Sequence, residues 1–393
     1  MDARTYETYL RILRDELVPA MGCTEPIAVA YAGAIARRTL GKIPRNVTLA
    51  VSGNIIKNVK SVIVPHTGGR KGLKTAVAAG IIYGDARKEL EVLSDGSPEQ
   101  LAELDRFLAD TEIEIYQSDI MDPFDIQVYA DEAFVRILGT HTHVTDIRLG
   151  EQVLVHKPYK PVINSSGARG DELCVQDIVR FADEVSLEDV RPILQRQIDL
   201  NMAIAQEGMT GHYGAGIGRI LLRSYGSSVQ NRAKAYAAAG SDARMNGCEM
   251  PVVINSGSGN QGLTASIPVI MYAKEIDVSD EMLYRALTVS NLVAIHLKKG
   301  IGTLSAYCGA TSAGAGAGAG ISYLYGGKYP EIAHTIVNTL AINSGMICDG
   351  AKSSCAAKIA SAVEAGLLSK EGTTFDKVYL LLTSTYRSEE RRV

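Results

Sequence analysis

Apolar residues recur at helical spacing from the start of the chain, at Tyr6, Tyr9, Leu10, Leu13 and Leu17. Pro19 ends that pattern. Thr24, followed by Glu25 and Pro26, reads as the cap and first turn of a second helix, which Gly41 and Pro44 stop. The texture then changes. Asn46 to Val51 and Val59 to Val64 are short β-rich runs with a turn starting at Ser52-Gly53-Asn54. Pro98 to Ala109 has the helical period. Thr111 to Tyr116, Asp125 to Tyr129, Ala133 to Leu138, His143 to Leu149 and Gln152 to His156 look like strands. Together they predict an α+β unit with a mostly antiparallel sheet, closed by Pro158, Pro161 and a turn at Ser165-Ser166-Gly167.

From Asp171 onward the pattern is overwhelmingly helical. Periodicity predicts helices over 173–184, 186–207, 214–225, 228–240, 262–274, 279–297, 300–324, 329–344 and 355–368. The expected fold class is α+β overall: a large all-helical domain with an inserted smaller α+β domain. Residues 1–42 are then N-terminal helices packing on the helical domain, 43–168 the α+β domain and 169–393 the helical domain. The alternating Gly-Ala tract from Gly314 to Gly320 has four glycines in seven residues. Each glycine costs a helix about 1 kcal/mol relative to alanine. Close packing, or close approach of backbone to something bound, is the expected reason.

A chain of 393 residues suggests two or three domains. The net charge of -4, with no basic run, argues against nucleic-acid binding. Residues 251–273 and 300–327 carry no charged side chain, but Gly, Ala, Ser and Thr dominate them, so no membrane span is expected. No apolar stretch follows Met1 to Thr5, so no signal peptide is expected and a cytoplasmic location is inferred.

Six cysteines without a secretion signal do not read as a disulfide framework. Cys23 precedes a helix start, where the dipole can stabilise a thiolate. Cys308 precedes the Gly-Ala tract. Cys348 and Cys355 flank one short loop containing Gly350, Ser353 and Ser354. Three thiolates would suit zinc, copper(I) or an iron–sulfur centre, although the spacing has neither the Cys-x-x-Cys pairs of structural zinc nor the ferredoxin run. Gly257-Ser258-Gly259-Asn260-Gln261-Gly262 formally fits a dinucleotide fingerprint, but no repeating βαβ pattern surrounds it. The better reading is a loop whose N–H groups, with Ser256, Ser258, Asn260 and Gln261, hold a substrate carboxylate at a helix start. Among other polar residues, His212 in Thr210-Gly211-His212-Tyr213-Gly214 and Lys352 beside the Cys348 loop are candidate catalytic groups. His66 sits on a loop of the smaller domain, His296 and His334 fit helical patterns, and His141 and His143 alternate along an expected strand without a nearby cysteine.

Gly22-Cys23-Thr24-Glu25-Pro26, Gly240-Ser241-Asp242-Ala243-Arg244-Met245, the 257–262 glycine motif and Ile347-Cys348-Asp349-Gly350-Ala351-Lys352 resemble the L-cysteine desulfidase family. That family is similar in its helical half to the α-domain of iron–sulfur L-serine dehydratases, and the resemblance covers nearly the whole chain. It implies an oxygen-sensitive enzyme with a [4Fe–4S] cluster held by three cysteines and one iron open to substrate. Carried onto this chain it makes Cys308 and Cys348 ligands, with Cys355 the third. Cys23 stands as the alternative third ligand or as a proton-transfer thiol. The Pro that serine dehydratases carry after their Cys-Asp pair is here Gly350, and the gap to the next cysteine is shorter. The implied reaction is non-redox β-elimination from L-cysteine to pyruvate, ammonia and hydrogen sulfide. L-serine dehydration at the same cluster and a non-catalytic amino-acid-binding module with a structural metal are the alternatives. The partner is a small amino acid, with a homodimer suggested by the family. Cys174 and Cys248 are expected bystanders.

Overall fold

The computed structural model describes residues 1–94, 96–120, 122–158, 173–302 and 304–371. The expected turn at Ser165-Ser166-Gly167 and the boundary after residue 168 lie outside the described residues. The chain opens with α1 (Ala3–Glu16), β1 (Pro19–Met21) and α2 (Thr24–Leu40). There follow β2 (Val47–Val51), α3 (Gly53–Val59), α4 (Gly72–Tyr83), a short 3-10 helix over Ala86–Glu91, and α5 (Pro98–Asp110). The strands β3 (Ile113–Gln117), β4 (Asp125–Ala130), β5 (Ala133–Leu138), β6 (Val144–Leu149) and β7 (Gln152–His156) complete this part. The helical part comprises α6 (Val175–Glu184), α7 (Leu187–Thr210), α8 (Ile217–Tyr225) and α9 (Val229–Met245). It continues with β8 (Pro251–Val253), α10 (Gly259–Glu275), α11 (Asp280–Ile301), α12 (Gly309–Leu324), α13 (Tyr329–Ile342) and α14 (Ser354–Glu371).

The fold is α+β. Its main sheet has six strands in the order β3-β2-β4-β5-β6-β7, with β2 and β3 parallel and every other neighbour antiparallel. One expectation fails here, and one helix has no counterpart in the sequence pattern. Val59 to Val64 is not a strand, because Ser52 caps α3 instead: its hydroxyl accepts from Ile55 N, and the helix runs to Val59. Gly72–Tyr83 is a helix buried on nearly every side, so it shows no polar stripe for periodicity to find.

α1 packs on α6, α7 and α11, whereas α2 packs on α4 and on the face of β4 and β5. Gly80 lets α4 press against α2: a Cβ there would lie 1.9 Å from Ala30 O. One continuous apolar core joins the sheet part to the helical part. Between them β1 pairs antiparallel with β8, Pro19 opposite Val253 and Met21 opposite Pro251. That small pairing carries Cys23 to the helical half.

The Gly-Ala tract packs against helices. Cβ atoms at Gly314 and Gly318 would sit 2.4 Å from Ala362 O and 2.8 Å from Gly366 O on α14. Those at Gly316 and Gly320 would sit 2.4 Å from Ser290 O and 2.8 Å from Ala286 O on α11. α12 is thus the central rod, with a bare face toward each neighbour. Gly316→Ala is expected to destabilise the chain by about 1–3 kcal/mol, because backbone must move, even though alanine gains about 1 kcal/mol of helix propensity. Thermal unfolding checks this. A melting temperature at or above that of the wild type would mean the helices separate without cost.

Candidate functional site

Cys308 does not lie inside a long helix over 300–324. The chain breaks after Ile301, and Cys308 is the N-cap residue of α12. The break has a purpose in the geometry. Tyr307 forms an antiparallel bridge with Ile347, flanked by Cys308 N donating to Met346 O at 3.0 Å and Cys348 N to Ala306 O at 2.7 Å. Strand alternation then puts Cys308 and Cys348 on the same face of the pair. The following loop is clamped by Lys358, which donates to Ile347 O at 2.9 Å and to Asp349. Gly350, at φ 94°, passes so close to α3 that a Cβ would lie 2.6 Å from Lys57 O. The loop then delivers Cys355 in the first turn of α14.

All three thiols, with Cys23, line one cavity that opens to solvent. All four are free thiols. Burial pushes the Cys308 thiol up, and Cys348 adds to this. Burial likewise pushes Cys355 up to about 11, with Cys308 and Cys348 contributing. The three sulfurs therefore share one electrostatic neighbourhood. A soft cation would reverse that penalty, since it binds the thiolate form. Among the described residues, no three His, Cys, Asp or Glu side chains converge on a point suited to a single metal ion.

The facing wall comes from distant segments. Cys23 is the N-cap residue of α2 and is 2% exposed. The helix dipole does not leave it ionised, as its position in the sequence suggested. Burial raises its pKa well above the ordinary thiol value, and neighbouring Glu25 raises it further. Its Sγ donates to Glu25 Oε2 at 3.1 Å. Glu25 Oε1 accepts from Asn58 Nδ2 at 2.8 Å. Burial opposes ionisation of Glu25, but His141, the Cys23 hydrogen bond and Arg244 together hold its pKa below the usual value. Thr24 Oγ1 donates to Gly257 O at 2.9 Å, tying this corner to the glycine loop.

That loop follows β8, whose only strand partner among the described residues is β1, so no parallel βαβ unit surrounds the motif. Asn201 anchors β8 by accepting from Val253 N at 2.8 Å, and Asn255 Nδ2 donates to Asn291 O at 3.2 Å. The motif's glycines answer local crowding: a Cβ at Gly257 would lie 2.9 Å from His141 Cε1, and one at Gly262 2.0 Å from Val253 O. Ser256, Ser258, Asn260 and Gln261 all line the cavity.

Not every expected residue arrives. His212 is exposed, in the loop between α7 and α8, and is not a cavity residue. Lys352 is not a cavity residue either; its Nζ lies 3.7 Å from Asp349 Oδ2. Cys174 and Cys248 also lie outside the lining. In their stead Glu25, Lys57, Asn58, His141, Arg244 and Lys298 reach the cavity. His141 sits in the loop before β6 rather than on a strand, and burial lowers its pKa. Its ring packs edge-on against Phe124 at 4.6 Å. Glu25 and Arg244 lie within the resembling motifs, but nothing in their spacing distinguishes them from capping or surface charges.

Lys298, on α11, is 6% exposed and donates to Gly302 O. Burial lowers its pKa to about 8, against the opposing pull of Cys348, Cys308 and Glu25. A lysine lowered in the folded state binds its proton more tightly when unfolded, so it costs stability at neutral pH. That cost fades as pH rises from about 8 to 10.5. In metal-free protein Lys298→Met is therefore expected to gain up to about 3 kcal/mol at neutral pH. The gain should shrink on going alkaline. Urea unfolding across that range checks it, and a gap that stays constant with pH would contradict the assignment.

Comparison with known proteins agrees with this architecture. The family model described as serine dehydratase alpha chain matches residues 87–374. A UPF0597 protein of Desulfitobacterium hafniense is 54% identical over 380 residues, covering 95% of this chain and 88% of that protein. A UPF0597 protein of Lachnoclostridium phytofermentans is 51% identical over 367 residues, with 92% and 88% covered. One of Treponema denticola is 45% identical over 382 residues, with 94% and 88% covered. Among the described residues no helix is long and apolar enough to cross a membrane. With matches of this extent, the chain belongs to the serine dehydratase alpha chain family and, within it, to the UPF0597 proteins.

Proposed function

We propose that the chain is a lyase that eliminates the β-substituent of L-cysteine without net redox change, giving pyruvate, ammonia and hydrogen sulfide. The observation that carries this reading is the gathering of Cys23, Cys308, Cys348 and Cys355 with Glu25, His141 and Arg244 around one cavity. Cys308, Cys348 and Cys355 would hold a [4Fe–4S] cluster. Each thiolate in such a cluster binds a different iron, so the sulfurs need not converge on one point. When bound, the cluster supplies an open iron, a Lewis acid that stabilises the departing sulfide.

The remaining work falls to the chain's own groups. The N-terminus of α10, with Ser256, Ser258, Asn260 and Gln261, offers donors and a favourable dipole to the substrate carboxylate. Cys23 and Glu25 handle the Cα proton. Glu25, held ionised with the Cys23 thiol donating to it at 3.1 Å, takes the proton from Cα. Burial of Cys23 keeps competing water from its thiol. The aminoacrylate left after sulfide departs tautomerises to an imine and takes up one water to give pyruvate and ammonia. Protein prepared anaerobically should release sulfide and pyruvate in equal amounts from L-cysteine.

The description of the matching family favours a second reading, dehydration of L-serine at the same site. Pyruvate from L-serine with no sulfide from L-cysteine would replace the first reading by the second. A protein that stays colourless after cluster reconstitution and turns over neither amino acid would leave only a binding module.

A further inference from the structure

We propose that Arg244 is the carboxylate anchor of this cavity, so that its ligand is an α-amino acid with a free carboxylate. This deepens the reading above and rests on it. Arg244 lies near the end of α9 and is 2% exposed. Among the described residues its guanidinium has one hydrogen-bond partner, Asn260 Oδ1, at 3.1 Å from Nη1. Its Nε is buried without a partner. Among the described residues no carboxylate forms an ion pair with it, although buried arginines are normally paired. The missing partner is an anion, and the cavity is where one can enter.

Two further features fix the kind of anion. A Cβ at Gly259 would lie 2.4 Å from Arg244 Nε, so the first turn of α10 runs directly against the guanidinium. A forked donor and a helix N-terminus thus share one corner, a combination suited to a planar carboxylate. Arg244 acts electrostatically on Cys23, Glu25 and His141. The guanidinium therefore belongs to the proton-transfer side of the cavity, where the α-carbon of an amino acid would sit.

L-Alanine tests this, since it has the amine and carboxylate but no leaving group; L-alaninamide lacks the carboxylate charge. Titration calorimetry on anaerobic protein should find L-alanine bound at least about tenfold more tightly than the amide. Arg244→Gln should lose about tenfold to a hundredfold for L-alanine and little for the amide, with Arg244→Lys between them. If Arg244→Gln does not fold, the Arg244→Lys variant and the wild-type comparison of the two ligands decide. Wild type with no preference for L-alanine, or a glutamine variant that keeps the preference, overturns the proposal. Sulfide release from L-cysteine by wild type is scored separately. A protein that releases sulfide yet ignores the carboxylate sinks only the anchor. One that prefers L-alanine but releases no sulfide keeps the anchor and loses the proposed reaction.

Discussion

Cys308→Ala and Cys348→Ala proteins, prepared anaerobically, are expected to lose iron, acid-labile sulfide and the broad visible band together, with turnover falling to background. The two residues are held by reciprocal backbone bonds across the Tyr307–Ile347 bridge, so neither can be replaced by a shifted neighbour. Cys174→Ala should retain all three signals. Its thiol faces Asp177 at 3.2 Å at the start of α6, outside the cavity. The remaining two cysteines separate by phenotype. Cys355→Ala should resemble Cys308→Ala, because its sulfur shares the electrostatic neighbourhood of Cys308 and Cys348. Cys23→Ala should keep its iron and lose turnover, because its thiol is committed to Glu25. Full iron content in Cys308→Ala, or its loss in Cys174→Ala alone, would remove the cluster assignment.

What was legible in the sequence follows from which interactions are local. Most helices of the second half and the strands from Asp125 to His156 announce themselves by residue type, length and the breakers that flank them. α4 and the Val59 to Val64 stretch do not: one is apolar all round, and the other depends on a serine cap outcompeting β-branched side chains. The break before Cys308 depends on the bridge to Ile347, a partner 40 residues away whose pairing no window contains. The cavity shows the same division. Its cysteines and glycine loop stand out as motifs. Glu25, His141 and Arg244 become site residues only because β1 pairs with β8 and the loop before β6 folds over Gly257. Lys352 was nearer in sequence to Cys348 than any of them, and Asp349 takes it instead.

Glu25→Gln is expected to lower kcat by about 10²–10⁴, the range for removing a positioned proton-transfer group, while iron content stays at the wild-type level. The carboxylate has Asn58 on one oxygen and Cys23 with Thr24 on the other, so it cannot swing away to be replaced by solvent. An amide keeps the shape but neither takes the Cα proton nor carries the charge that raises the Cys23 pKa. The same substitution has a pH signature. Glu25 is lowered in the fold, so its contribution to stability is present above the ordinary carboxylate range and is lost as pH falls through its lowered value. Wild type should therefore exceed Glu25→Gln in unfolding free energy at neutral pH, and the two should converge on acidification. A merely structural glutamate would show the convergence without the loss of kcat. Turnover near that of the wild type would take Glu25 out of the proton path and leave the Cα proton to Cys23 with His141 alone.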